Sequence, residues 1–139
     1  MKLHLASLLT LFSHHAKAHE PLNYPRLLST VAQMEKASPY YVSPSHARGV
    51  YQIKPATWAQ YSKKSHSCAS TDPEENTRVA CAHARWIVEK ALPALGLPVT
   101  PYSFALIWYP GYGNVRKLNL SDENVDYGKR FERIYQKNP

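Results

Sequence analysis

The stretch Asp72-Pro73-Glu74-Glu75-Asn76-Thr77-Arg78-Val79-Ala80-Cys81-Ala82-His83-Ala84-Arg85-Trp86-Ile87-Val88-Glu89-Lys90 decides the fold class. Asp72 is a capping residue, Pro73 takes the first helical position, where a missing N–H costs nothing, and Glu75 can reach back to the cap. Val79, Ala82, Trp86, Ile87 and Lys90 follow in helical period, so the stretch predicts an amphipathic helix closed by Gly96 and Pro98. The same grammar recurs on both sides. Asn23-Tyr24-Pro25 opens a helix with Leu28, Val31, Ala32 and Glu35 on one face, and Ser38-Pro39 ends it. A short helix runs through Thr57-Trp58-Tyr61. Thr100-Pro101 starts another through Phe104, Leu106, Ile107 and Trp108, which Pro110-Gly111-Tyr112-Gly113 stops. Ser121-Asp122-Glu123 begins the last, with Tyr127, Phe131, Ile134 and Tyr135 as its buried stripe. Ser43-Pro44-Ser45 marks a turn, and Gly49-Val50-Tyr51-Gln52-Ile53 reads as a short extended stretch. The expected fold is mainly α, one helical domain with a small irregular or β segment.

Composition supports one compact domain: 139 residues, 44% hydrophobic and 19% charged, with Pro 11 outnumbering Gly 5. No run of eighteen apolar residues is present, so no membrane-spanning helix is expected. At the N-terminus, Lys2, the apolar Leu5 to Phe12 and Ala16-Lys17-Ala18 read as a signal peptide over residues 1–18, leaving a domain over 19–139. A frayed amphipathic helix is the alternative for that segment. Lys+Arg 17 against Asp+Glu 10 makes the chain basic, at formal net charge +7. The charge is scattered, and neither an RNP-like aromatic strand nor zinc-finger spacing accompanies it, which argues against nucleic acid as a partner. An anionic wall polymer suits an exported basic domain better.

Cys68 and Cys81 would pair in an oxidising compartment, and closing that short loop would add about 3 kcal/mol. Two other readings remain: a zinc site with His66 and His83, although the spacing fits no ordinary finger, or two separate thiols. No metal or cofactor is expected.

Glu35 is the only acid between Pro21 and Thr71. Apolar neighbours on its helix face should disfavour its ionised form and let it donate a proton near neutral pH. Periodicity alone also fits a surface glutamate beside Lys36 at the end of a helix.

The surrounding words separate these readings. Glu35-Lys36-Ala37, Val42-Ser43-Pro44, Ala47-Arg48-Gly49 and Val50-Tyr51-Gln52-Ile53-Lys54-Pro55-Ala56-Thr57-Trp58 resemble, in order, the signature of the soluble-type lytic transglycosylases. Tyr109-Pro110-Gly111-Tyr112-Gly113-Asn114-Val115 is similar to that family's Tyr-Asn-Ala-Gly-Pro-Gly block, and Glu123, Tyr127, Phe131 and Tyr135 match its C-terminal helix in spacing. Two departures stand out. Lys36 replaces a serine, with the interval from Glu35 to Ser43 one residue short, and Tyr109 or Pro110 stands where an asparagine is usual.

The resemblance implies a lysozyme-like fold with a saccharide groove over the end of the Glu35 helix. It implies cleavage of peptidoglycan between N-acetylmuramic acid and N-acetylglucosamine to 1,6-anhydro ends, with Glu35 as acid and then base. Ser43 and Gln52 would contact the site or the sugar, and Tyr51, Trp108, Tyr109 and Tyr127 offer aromatic faces for the glycan. Either Trp108 or Tyr109 fills the family tyrosine position. For Ser43 and Gln52, hydrogen bonds that merely fix turns are the plainer alternative. Two-carboxylate glycosidases hold their acids about 5–9.5 Å apart, and no acid near Glu35 in sequence favours the one-acid route, although Asp72, Asp122, Glu123 or Asp126 could fold close to it. A hydrolytic muramidase of the same fold and a non-catalytic wall-binding or assembly protein are the competing functions. A small periplasmic monomer of this kind is also similar to the transglycosylases that open the wall for secretion or conjugation machines.

Overall fold

Helix α1, Tyr24–Glu35, buries Leu27, Leu28, Thr30, Val31 and Met34 along one face and leaves Glu35 half-buried at its last position. It stops before the expected Ser38-Pro39, because Lys36 turns left-handed at φ 49 while its N–H still bonds Ala32 O at 3.0 Å. The computed structural model describes residues 20–139, so the expected leader over residues 1–18 lies outside the described residues. After a reversal through residues 36–54 come α2 (Pro55–Tyr61), a 3-10 turn (His66–Ser70) and α3 (Pro73–Trp86). A single π turn (Ile87–Ala91) leads into α4 (Leu92–Ala94), followed by α5 (Pro101–Trp108), α6 (Tyr112–Arg116) and α7 (Asp122–Lys137). The fold is mainly helical, as expected. No helix among the described residues is long and apolar enough to cross a membrane.

The described chain forms two compact parts, Tyr24–Arg85 and Trp86–Pro139, with residues 20–23 belonging to the second. In the first part, the expected extended stretch at Gly49–Ile53 is instead a tight reversal. Arg48 and Ile53 exchange backbone hydrogen bonds at 3.1 and 3.0 Å, and Gly49 (φ 75) and Gln52 (φ 49) both turn left-handed between them. Only isolated bridges, Val42 to Arg48 and Arg48 to Ile53, remain of the β segment. Trp58 is the largest side chain buried in this part, and its indole N–H donates to Lys64 O at 2.8 Å.

Helix α3 starts as its sequence requires, with Asp72 Oδ1 accepting from the Glu75 N–H at 3.1 Å. Its buried face carries Asn76, Val79, Ala80 and Ala84, rotated from the expected stripe so that Ala82 and Trp86 are half-buried and Lys90, further along, is exposed. The π turn beyond it precedes Pro93. Proline removes one helical hydrogen bond and crowds the carbonyl four residues back, and a wider turn at that point relieves both.

The second part is aromatic. Residues Pro101 to Ile107 of α5 are all buried, and Phe104 stacks on Trp108 and leans on Phe131. Thr100 caps α5 by accepting from Ser103 N at 3.1 Å, and Ser121 with Asn124 makes a reciprocal capping box on α7. On α7 the buried positions are Val125, Tyr127, Gly128, Phe131 and Tyr135, with Ile134 only half-buried. Gly128 takes the place because a Cβ there would stand 2.7 Å from the Tyr102 ring. Pro110-Gly111 stops α5 as expected, and the short α6 then restarts at Tyr112.

Candidate functional site

Four of the expected site residues, Glu35, Ser43, Tyr51 and Gln52, lie in the Tyr24–Arg85 part, while Trp108, Tyr109 and Tyr127 lie in the other. Glu35 ends α1. Ser43 closes the next turn: its Oγ accepts from Ala47 N at 3.0 Å and lies 3.0 Å from Ser45 Oγ, while its own N–H bonds Ala47 O at 2.9 Å. Gln52 donates through Nε2 to Gly49 O at 2.9 Å, which locks its left-handed backbone. Both side chains therefore make the turn-fixing hydrogen bonds that sequence left as the plainer alternative.

Packing beneath this reversal explains Gly49. A Cβ at that position would fall 2.5 Å from Ala69 O and 2.9 Å from Asn76 Nδ2, so only glycine lets the turn settle onto the 3-10 turn and α3. Arg48 Nη1 donates to Ser70 Oγ at 3.0 Å, while Arg48 Nε and Asn76 Nδ2 are buried without a hydrogen-bond partner. Sequence reasoning missed Asn76, although its spacing of three and four from Val79 and Ala80 places it on the buried face of α3. Beside the reversal, Pro39, Val50, Tyr51, Ala69, Pro73, Asn76 and Thr77 line a cleft of about 70 Å³. Glu35 is not among the lining residues.

Two other carboxylates of this part, Glu75 and Asp72, are held in the ionised form by their partners. Arg78 and then Ser62, donating to Glu75 at 2.7 and 2.6 Å, hold the Glu75 carboxyl down at about 2. The expected reach of Glu75 back to its cap is replaced by these contacts. Lys64, at 2.7 Å, lowers Asp72, and Glu74 is exposed. His83 lies 3.3 Å from the Tyr61 hydroxyl, and burial pushes it down to about 4.

Of the expected Cys68–Cys81 pair, Cys68 is a free thiol half-buried on the 3-10 turn and Cys81 a free thiol exposed on α3. Ala80 occupies the inward position beside Cys81 on α3. No group of three or more His, Cys, Asp or Glu side chains suited to a metal occurs among the described residues, and His66 instead bonds Ile53 O at 2.9 Å.

In the second part, Tyr109 and Tyr127 stack face to face, with centroids 4.3 Å apart and planes 11° from parallel. The Tyr109 hydroxyl donates to Glu123 Oε1 at 3.0 Å. Tyr127 is buried and also stacks on Phe131, so it supports Tyr109 from behind. Trp108 is half-buried against Phe104.

The mainly helical fold accords with the lysozyme-like class, and a hydrogen-bonded Arg-Gly-x-x-Gln reversal follows the carboxyl at the end of α1. Residues 13–107 match the transglycosylase SLT domain, and the chain belongs to that family, with peptidoglycan as its substrate. No curated protein and no solved structure matches it.

Proposed function

We propose that the protein is a lytic transglycosylase that cleaves the β-1,4 bond between N-acetylmuramic acid and N-acetylglucosamine and leaves 1,6-anhydro ends. Glu35, protonated at rest, donates to the departing glycosidic oxygen. The resulting carboxylate takes the proton of the muramoyl 6-hydroxyl, whose oxygen attacks C1 and closes the anhydro ring. The observation that carries this reading is the position of Glu35. It is half-buried at the carbonyl end of α1, where the helix dipole opposes a negative charge. Ser43 and Gln52 serve by holding the two turns that follow Glu35, and Tyr51, Trp108 and Tyr109 supply faces for sugar rings. Residues 1–18 act as a leader that sends the domain to the periplasm, where it works as a monomer on the wall, in the service of a secretion or conjugation machine.

Incubation of the purified protein with peptidoglycan, followed by mass analysis of the soluble muropeptides, tests the chemistry. Anhydro ends are expected. Reducing ends would make it a muramidase, and no release would make it a passive binder. Glu35→Gln is expected to lower release at least about 100-fold with unchanged circular dichroism. Retained activity in that variant would reject Glu35 as the acid. N-terminal sequencing of the protein recovered from a bacterial periplasm checks the leader, with a start at residue 19 expected.

A further inference from the structure

Five residues beyond the end of α1 begins the pair of most exposed aromatic side chains among the described residues. Tyr40 is 74% exposed, Tyr41 48% and the adjoining Val42 39%, in a protein whose other large apolar side chains are mostly buried. Exposure of this kind usually accompanies a mobile loop, but this backbone is pinned. Tyr41 N–H donates to Ser38 O at 3.1 Å, Tyr41 O accepts from Gly49 N at 3.1 Å, and Val42 bridges Arg48. Tyr41 is thereby tied to the same reversal that orients Gln52, and Pro39, next to Tyr40 in the chain, borders the cleft with Tyr51. Leaving two tyrosine rings in water on a fixed support forgoes the burial that would stabilise the fold, which is the pattern of a surface kept for a ligand.

Chemistry selects the ligand. A tyrosine face is apolar and its tip hydrogen-bonds, which matches a saccharide ring with its C–H face and hydroxyl rim. Between residues 36 and 54 the charged side chains are Lys36, Arg48 and Lys54, with no carboxylate, and both lysines are exposed. A polymer of sugar rings bearing carboxylates complements that surface better than an acidic or purely apolar protein face does.

We propose that Tyr40 and Tyr41 form a stacking platform for glycan rings of the peptidoglycan strand away from the bond that is cut, with Lys36 and Lys54 facing its stem-peptide carboxylates. The inference rests on the transglycosylase reading and adds a binding surface to it. The platform acts by positioning the strand, so its loss falls on KM.

The test compares full-length wild type, Tyr40→Ala, Tyr41→Ala, the double alanine variant and the double phenylalanine variant. Sedimentation with purified sacculi is measured in a Glu35→Gln background, and muropeptide release is measured with Glu35 intact. The double alanine variant is expected to bind sacculi about tenfold more weakly and to raise KM with kcat held, and each single variant to lose part of that. The double phenylalanine variant is expected to retain most of the binding, because the faces remain. Wild-type cleavage with equal binding by the double alanine variant would overturn the platform alone. Absence of both binding and cleavage by wild type would overturn the transglycosylase reading and the platform with it. Should the double alanine variant lose its circular dichroism signal, the single variants decide: unchanged binding in both rejects the platform.

Discussion

Two glycines contrast the two parts of the molecule. Gly49, in the Tyr24–Arg85 part, sits at φ 75 and would place a Cβ 2.5 Å from a backbone oxygen. Gly128, in the Trp86–Pro139 part, is helical, and its Cβ would meet the Tyr102 ring at 2.7 Å. The first part is built on a reversal held by backbone geometry and small polar groups, with Ser43, Gln52, Arg48 and Ser70 each tying one strand of chain to the next. The second is built on rings, with Phe104, Trp108, Tyr109, Tyr127 and Phe131 stacked between α5 and α7. The proposed site, the Glu35 carboxyl with the turns that follow it, lies in the hydrogen-bonded part. The ring-packed part carries stability and one partly exposed aromatic face.

If this contrast is right, the largest effect comes from Gly49→Ala. A backbone oxygen cannot yield as a side chain can, and φ 75 is strained for alanine, so a loss of about 3 kcal/mol is expected. Urea unfolding measures it, and a loss below that of Gly128→Ala would break the comparison.

Next comes His83, whose folded pKa of about 4 lies below its ordinary 6.5 because it is desolvated beside Tyr61. Between those values the unfolded chain binds the extra proton, so stability is fully present above pH 6.5 and declines as pH falls toward 4. A decline on the order of 2 kcal/mol is expected, allowing for partial exposure, and His83→Gln should lack it. The corresponding loss from Glu75 belongs to a separate window, from pH 4.5 down to about 2. Thermal melts of both proteins at several pH values check the slope. Equal slopes would remove His83 as its source.

Smallest is Gly128→Ala. Helix propensity returns about 1 kcal/mol while overpacking against Tyr102 costs about 1–3, for a net loss of about 1 kcal/mol. The same urea titration reads it, and a gain in stability would mean that the Tyr102 ring moves aside freely.

Legibility in the sequence followed the same division of causes. The starts of α1, α3, α5 and α7 were readable, because Tyr24-Pro25, Asp72-Pro73, Thr100-Pro101 and Ser121 act through local sterics and capping hydrogen bonds. The π turn before Pro93 went unread although its cause, the proline, is local. The reversal in place of a strand at Gly49–Ile53 was not readable, because it depends on what lies against the backbone: position 49 has to be glycine since Ala69 and Asn76 leave no room for a side chain. Glu35 stood out by isolation, a property of composition. Ser43 and Gln52 were found by resemblance, and the structure shows the turns their side chains hold. Tyr40 and Tyr41 escaped notice because a pair of tyrosines reads as core until exposure is known.

By itself, then, the sequence determined the helical class, the places where helices begin and the membership of a wall-cleaving family, since caps, prolines and ordered motifs carry their meaning in adjacent residues. Tertiary structure alone decided which face of α3 turns inward and which tyrosines meet water. Burial and contact are set by residues distant along the chain, and no local window contains them.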